Sequence, residues 1–137
     1  MRTPSEILEQ ARSIAVVGAS DDPAKPAHGV PVVLRERGWR ILPVNPNDPE
    51  VLGVPSVASV AALPDGVDVV DVFRPADEAP DIVRAAIARG IGAVWLQAGI
   101  SSPEARALAE EAGIDYVEST CMKVVAVRHD LHAPTPG

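Results

Sequence analysis

The chain has 137 residues, the size of one ordinary domain, and carries a net charge of −7 from 12 Lys+Arg against 19 Asp+Glu. With no basic cluster and only four scattered aromatics (Trp39, Phe73, Trp95 and Tyr116), this composition excludes a nucleic-acid surface, an acidic-membrane surface and a base-stacking platform. The single cysteine, Cys121, excludes an intrachain disulfide framework and a multi-cysteine metal site, and a reducing, cytoplasmic setting is the simplest expectation.

No apolar run approaches the ~18 residues of a membrane span. The opening MRTPSEILEQAR lacks the long apolar stretch of a signal peptide. Val supplies 20 residues and Ala 21, which predicts a core of small aliphatics. Eight of the 14 prolines fall between Pro23 and Pro64.

Thr3-Pro4-Ser5-Glu6 reads as a helix start, with Glu6 three residues after a capping Thr. Ile7, Leu8 and Ala11 share one face of that short helix. Ser13 to Val17 is a β-branched, non-alternating run, as in a parallel strand covered on both faces. Residues 18–27 form a loop. A second helix is predicted from about His28 to Arg37, ended by Gly38. Trp39 to Val44 is the second strand. Asn45 to Leu63 reads as a long, proline-rich loop with room for one helical turn.

Val67 to Phe73 is the third strand, and Pro75 to Arg89 is the clearest helix, ended by Gly90. Ala93 to Gln97 is the fourth strand. Ser101-Ser102-Pro103-Glu104 starts another helix, ended by Gly113. Ile114 to Val117 is a short fifth strand. Met122 to Arg128 reads as a last helix or an extended segment. The tail from about residue 130 is expected to fray.

This alternation predicts a doubly wound, Rossmann-like α/β fold, a parallel sheet of about five strands in a single domain spanning 1–137. Strand order 3-2-1-4-5 would put the point of reversal between strands 1 and 4, and ligands of such sheets bind outside the carboxyl ends there. Four segments would then converge: Gly18-Ala19-Ser20, Pro43-Val44-Asn45-Pro46, Phe73-Arg74-Pro75 and Gln97-Ala98-Gly99.

Gly18 at a strand end lets backbone approach a phosphate, although the loop is not GxGxxG. The end of strand 2, Val44-Asn45-Pro46, lacks the acidic residue that holds the ribose of NAD, which disfavours that cofactor. Lys25, with His28 and Arg74, gives a local cationic site on an acidic chain. Asp68 and Asp71 point to opposite faces of their strand and cannot act on one atom. Asp68 is expected near the surface and Asp71 satisfied by hydrogen bonds.

The strings IAVVGAS, ILPVNPN, LGVPSVASV, VDVVDVFRP and AVWLQAGI, with Cys121-Met122-Lys123, resemble the small bacterial CoA-binding proteins. These are stand-alone Rossmann-like domains similar to the CoA-binding domain of the succinyl-CoA synthetase α subunit. The resemblance runs from about residue 5 to 128. It implies a site for coenzyme A at the strand ends. Gly18, Ala19 and Ser20 would meet phosphate, and Lys25 with Pro26 would match the family's basic loop position. His28 stands where many members have an aromatic or Arg. Val44, Asn45 and Pro46 would flank the nucleotide, Phe73 and Arg74 would wall the site, and Gln97 and Gly99 would lie near the diphosphate or pantetheine. Cys121 could form a mixed disulfide with CoA, with Lys123 lowering its pKa.

The resulting expectation is a protein that binds CoA or an acyl-CoA at the carboxyl ends of the strands, without catalysis of its own. Its partner is a small molecule, with no nucleic acid, membrane or metal, and with self-association open. His129 and His132, beside the tail, make no metal site. The alternatives are a nucleotide-dependent oxidoreductase, a ligase-related subunit, and a redox protein thiolated by CoA at Cys121.

Overall fold

The computed structural model describes residues 1–135. Helix α1 (Pro4–Gln10) opens with the predicted capping box: the Glu6 N–H donates to Thr3 Oγ1 (3.2 Å) and the Thr3 N–H donates to Glu6 Oε1 (2.9 Å). Strand β1 (Ser13–Val17) is buried along its whole length. Helix α2 (Pro26–Glu36) begins two residues earlier than expected, because Pro26 takes the first helical position, where a missing N–H costs nothing. Strand β2 (Arg40–Val44) follows.

The stretch expected to be a long loop contains a small hairpin, β3 (Glu50–Val51) and β4 (Val54–Pro55), and then a 3-10 turn at Val60–Ala62. Its two-residue turn places Leu52 at φ +58° and Gly53 at φ +76°. Two consecutive left-handed residues twist the strands as a tight hairpin requires. Strands β5 (Val69–Val72), β6 (Ala93–Leu96) and β7 (Asp115–Val117) alternate with α3 (Ala79–Ala88), α4 (Pro103–Ala112) and the closing helix α5 (Met122–Arg128). A 3-10 turn at Ala76–Glu78 leads into α3, so the expected helix from Pro75 is two pieces.

The five main strands are parallel, in the order β2-β1-β5-β6-β7. This confirms the Rossmann-like doubly wound class but corrects the strand order. In the sequence numbering it is 2-1-3-4-5, so the reversal lies between the first and third strands, β1 and β5. The third strand returns directly beside the first, leaving β2 at the edge.

Alternate residues of each buried strand feed two separate cores. Ile14 and Val16 point to the layer of α1, α2 and α5, while Ala15 and Val17 point to the layer of α3 and α4. The second layer is close to the expected core of small aliphatics, with Tyr116 as its aromatic member. The first is not: it is anchored by Trp39 and Trp95, both fully buried. Each indole N–H has a backbone acceptor, Trp39 at Leu8 O and Ala11 O, and Trp95 at Thr120 O.

The β2 edge is closed by a short bridge, in which Val57 N–H donates to Pro43 O and Asn45 N–H donates to Val57 O. Pro43 and Pro55 both lack an N–H, so this ladder cannot extend toward the amino ends of its two segments. The tail is tied as far as Ala133, whose N–H donates to Arg37 O, and Arg37 Nη1 donates to Leu131 O. Pro136 and Gly137, the end of the segment expected to fray, lie outside the described residues. Among the described residues, no helix is long and apolar enough to cross a membrane.

Candidate functional site

The reversal between β1 and β5 brings the loop after β1 against the segments that follow β2 and β5. Phe73 N–H donates to Val17 O, and Gly18 N–H donates to Val44 O. Gly18 sits at φ +88°, and a Cβ there would come within 3.1 Å of Arg74 Cδ. Glycine is therefore required for two reasons, the left-handed backbone and the stem of Arg74 lying across it.

The loop 18–21 is held from three sides. Asn45 Nδ2 donates to Ala19 O (3.1 Å), while Asn45 Oδ1 accepts from Asn47 and Asp48 N–H. His28 Nδ1 lies 2.9 Å from Ser20 O and must carry the proton, since a carbonyl can only accept. Ser20 N–H donates to Ala27 O (3.2 Å). That carbonyl is free because Pro31, four residues on within α2, has no N–H to donate to it.

Gly18 N–H and Ser20 N–H, both expected to meet phosphate, are spent inside the fold. The N–H groups of Ala19 and Asp21 make no hydrogen bond within the described residues, nor does that of Ala27 in the first turn of α2. Ser20 Oγ accepts from Asp22 N–H (3.0 Å), which leaves its own proton free to donate. The N-cap of α2 is Lys25, with no side-chain cap and no acidic residue in the first turn. A cation at the positive end of a helix dipole is unfavourable by itself and becomes favourable when an anion lies between them.

The expected cations differ in their state. Lys25 makes no ion pair among the described residues. Arg74 is engaged by Glu78, with Nη2 at 2.8 Å and Nε at 3.2 Å from the carboxylate. Glu78 thereby offsets part of the charge Arg74 was expected to offer. Val44 is buried, Pro46 is exposed, and Phe73 is half-buried against the Trp-containing core.

A second group gathers at the end of β6. Thr120 N–H donates to Leu96 O, and Gly99 N–H donates to Ser119 Oγ (3.2 Å). Gln97 is buried. Its Nε2 donates to Asp71 Oδ1 (2.5 Å), and its Oε1 accepts from Met122 N–H (3.4 Å). Both ends of this amide are committed inside the fold, which leaves only the backbone of this segment to face a ligand.

Asp71 is fully buried on β5, and its Oδ2 has no partner, so the expectation of a satisfied carboxylate holds for only one oxygen. Burial raises the carboxyl to about 7, against a smaller lowering by the Gln97 hydrogen bond. Cys121 is the N-cap residue of α5, half-buried and packed on the core, with a free thiol. Lys123 follows one residue inside α5 and makes no ion pair among the described residues.

The sequence matches a family model described as a CoA binding domain over residues 12–126. The chain belongs to the CoA-binding domain family. It is 34% identical over 129 residues to the uncharacterized protein YneT of Bacillus subtilis, covering 90% of this chain and 96% of YneT. The solved structure of cell-free ID.343 from Thermus thermophilus is 44% identical, with a TM-score of 0.86 over 93% of this chain and 98% of that one. An ADP-forming acetate–CoA ligase II of Archaeoglobus fulgidus is 34% identical over 93 residues, 66% of this chain but only 14% of the ligase.

Within this CoA-binding domain, sequence reasoning missed Asp21, Leu52 and Glu78. Leu52 N–H donates to Asp21 Oδ1 (2.8 Å), and Arg35 Nη1 donates to Leu52 O (2.6 Å). Two signals were available: Gly53, which follows Leu52 between two short apolar runs and marks a tight turn, and the four-residue spacing of Arg74 and Glu78.

Proposed function

We infer that the protein binds coenzyme A or an acyl-CoA at the carboxyl ends of β1, β2, β5 and β6. The observation that carries this reading is the set of unspent donors around the uncapped start of α2: Asp21 and Ala27 N–H, the Ser20 hydroxyl and Lys25. A chain of net charge −7 gathers donors here around Lys25, which makes no ion pair among the described residues, and this suits an anionic ligand held locally. CoA supplies phosphates for such donors and a long arm for apolar walls. Family membership and the naming of the relative from Archaeoglobus fulgidus as a CoA ligase support the same ligand class.

On this reading the loop N–H groups, Ser20 and Lys25 hold the diphosphate. Arg74, tethered by Glu78, borders them. The absence of a carboxylate at Val44-Asn45-Pro46 leaves that side tolerant of a phosphorylated ribose. Pro46 and Phe73 offer apolar surface, and the Gly99 and Cys121 segments border the far end.

Thermal denaturation tests the reading, because a ligand bound only by the folded state raises the melting temperature. CoA is expected to raise it well above NAD or ATP at equal concentration, and Lys25→Ala to reduce the CoA shift. Equal shifts with all three ligands, or none with CoA, overturn it.

A further inference from the structure

Leu52 has a conformation that its residue type disfavours. At φ +58° its Cβ crowds the backbone, a strain that glycine would avoid. Three contacts hold it there. Its side chain is buried in the core with Val51, Trp39 and Leu34. Its carbonyl accepts from Arg35 of α2, and its N–H donates to Asp21 Oδ1. Asp21 lies in the loop whose Asp21 N–H and Ser20 hydroxyl proton are unspent. The hairpin tip, α2 and the loop thus form a closed triangle, with Asn45 fastening the same loop two residues earlier at Ala19 O.

A carboxylate in a loop that receives an anion is an electrostatic liability unless it has another task. Here its Oδ1 is engaged by the hairpin. We propose that Asp21 is a positioning residue for the anion-binding loop: by accepting the Leu52 N–H it fastens the loop to the strained hairpin tip and presets the loop's free donors, the Asp21 N–H and the Ser20 hydroxyl. This rests on the CoA reading above and adds the element that organises its phosphate loop. The hairpin, far from being a passive connection after β2, is the scaffold on which the loop is set.

The test compares wild type, Asp21→Asn and Asp21→Ala in CoA titration and in hydrogen exchange of the unliganded full chain. Asparagine keeps an Oδ1 acceptor for Leu52 N–H and removes the charge, whereas alanine removes both. The expected result is that Asp21→Ala weakens CoA binding about tenfold while Asp21→Asn stays within about threefold, as for loss of one charge-assisted hydrogen bond. Exchange at Leu52 and across residues 18–25 is expected to rise in Asp21→Ala and to stay near wild type in Asp21→Asn. Tighter binding in both variants would make Asp21 a merely repulsive charge and overturn the proposal, as would equal affinities in all three proteins. A wild-type chain that binds no CoA overturns the ligand reading instead. The exchange comparison then still decides the clasp, and identical exchange in all three proteins overturns it.

Discussion

Asp68 and Asp71 stand three residues apart, one at the entry to β5 and one inside it, and the fold treats them in opposite ways. Asp68 is half-buried, and its Oδ2 accepts from the N–H groups of Arg12 (2.8 Å) and Ser13 (3.1 Å). Its own N–H donates to Ser13 Oγ (3.2 Å), whose hydroxyl donates onward to Gly66 O. Asp71 is fully buried, with one donor and one orphaned oxygen. The first carboxylate closes the amino-terminal end of the sheet by meeting donors that would otherwise be free. The second is a cost carried under the carboxyl end, beside the segments proposed to take the ligand. The same residue type on one strand is structural at one end and unresolved at the other, because only one end supplies donors.

The sharpest way to break this contrast is the pH dependence of stability. Burial raises the Asp71 carboxyl from 3.8 to about 7, so between those values the folded chain keeps a proton that the unfolded chain has lost. Stability therefore falls as pH rises through that window and levels off above it, by up to about 4 kcal/mol from this group. Asp71→Asn is expected to remove that slope and to be the more stable protein at pH 8, measured by urea unfolding across pH 4 to 8. A wild type with flat stability over that range would show that Asp71 is not held protonated.

Gln97→Leu removes the donor to Asp71 and the acceptor for Met122 N–H together. It is expected to cost about 3 kcal/mol, and more at pH 8 than at pH 5, because the carboxylate then ionises with no donor at all. A loss that is independent of pH would uncouple Gln97 from Asp71. Asp68→Ala strands two backbone N–H groups and is expected to cost about 2 kcal/mol, whereas Asp68→Asn, which keeps an acceptor, is expected to cost much less. If alanine at 68 proved as harmless as asparagine, the two carboxylates would not differ in kind. Ser13→Ala, which frees the Asp68 N–H and Gly66 O, has the smallest expected effect, about 1 kcal/mol in the same unfolding measurement.

Much of this molecule was legible in its residues. The Thr3–Glu6 box, the buried run Ser13 to Val17 and the Ser102 cap are local patterns, set by propensity and periodicity over a few residues. The convergence of Gly18, Asn45 and Arg74 was legible too, since any doubly wound sheet gathers its strand ends. Strand order was not, because βαβ handedness permits the third strand on either side of the pair β1–β2. The donor accounting was also hidden. Whether Ser20 N–H is free depends on Ala27 O, which depends on Pro31, and no spacing rule links those positions.

Sequence by itself therefore determined the family, the α/β class and the two-faced burial of the strands, because those follow from short-range pattern and from strings specific to the family. Tertiary structure alone decided that the third strand returns beside β1, that Trp39 and Trp95 make one layer of the core unlike the other, and that a hairpin tip holds the loop through Asp21. Each of these depends on which distant groups meet, and a hydrogen bond between residues 21 and 52 leaves no mark in the neighbourhood of either.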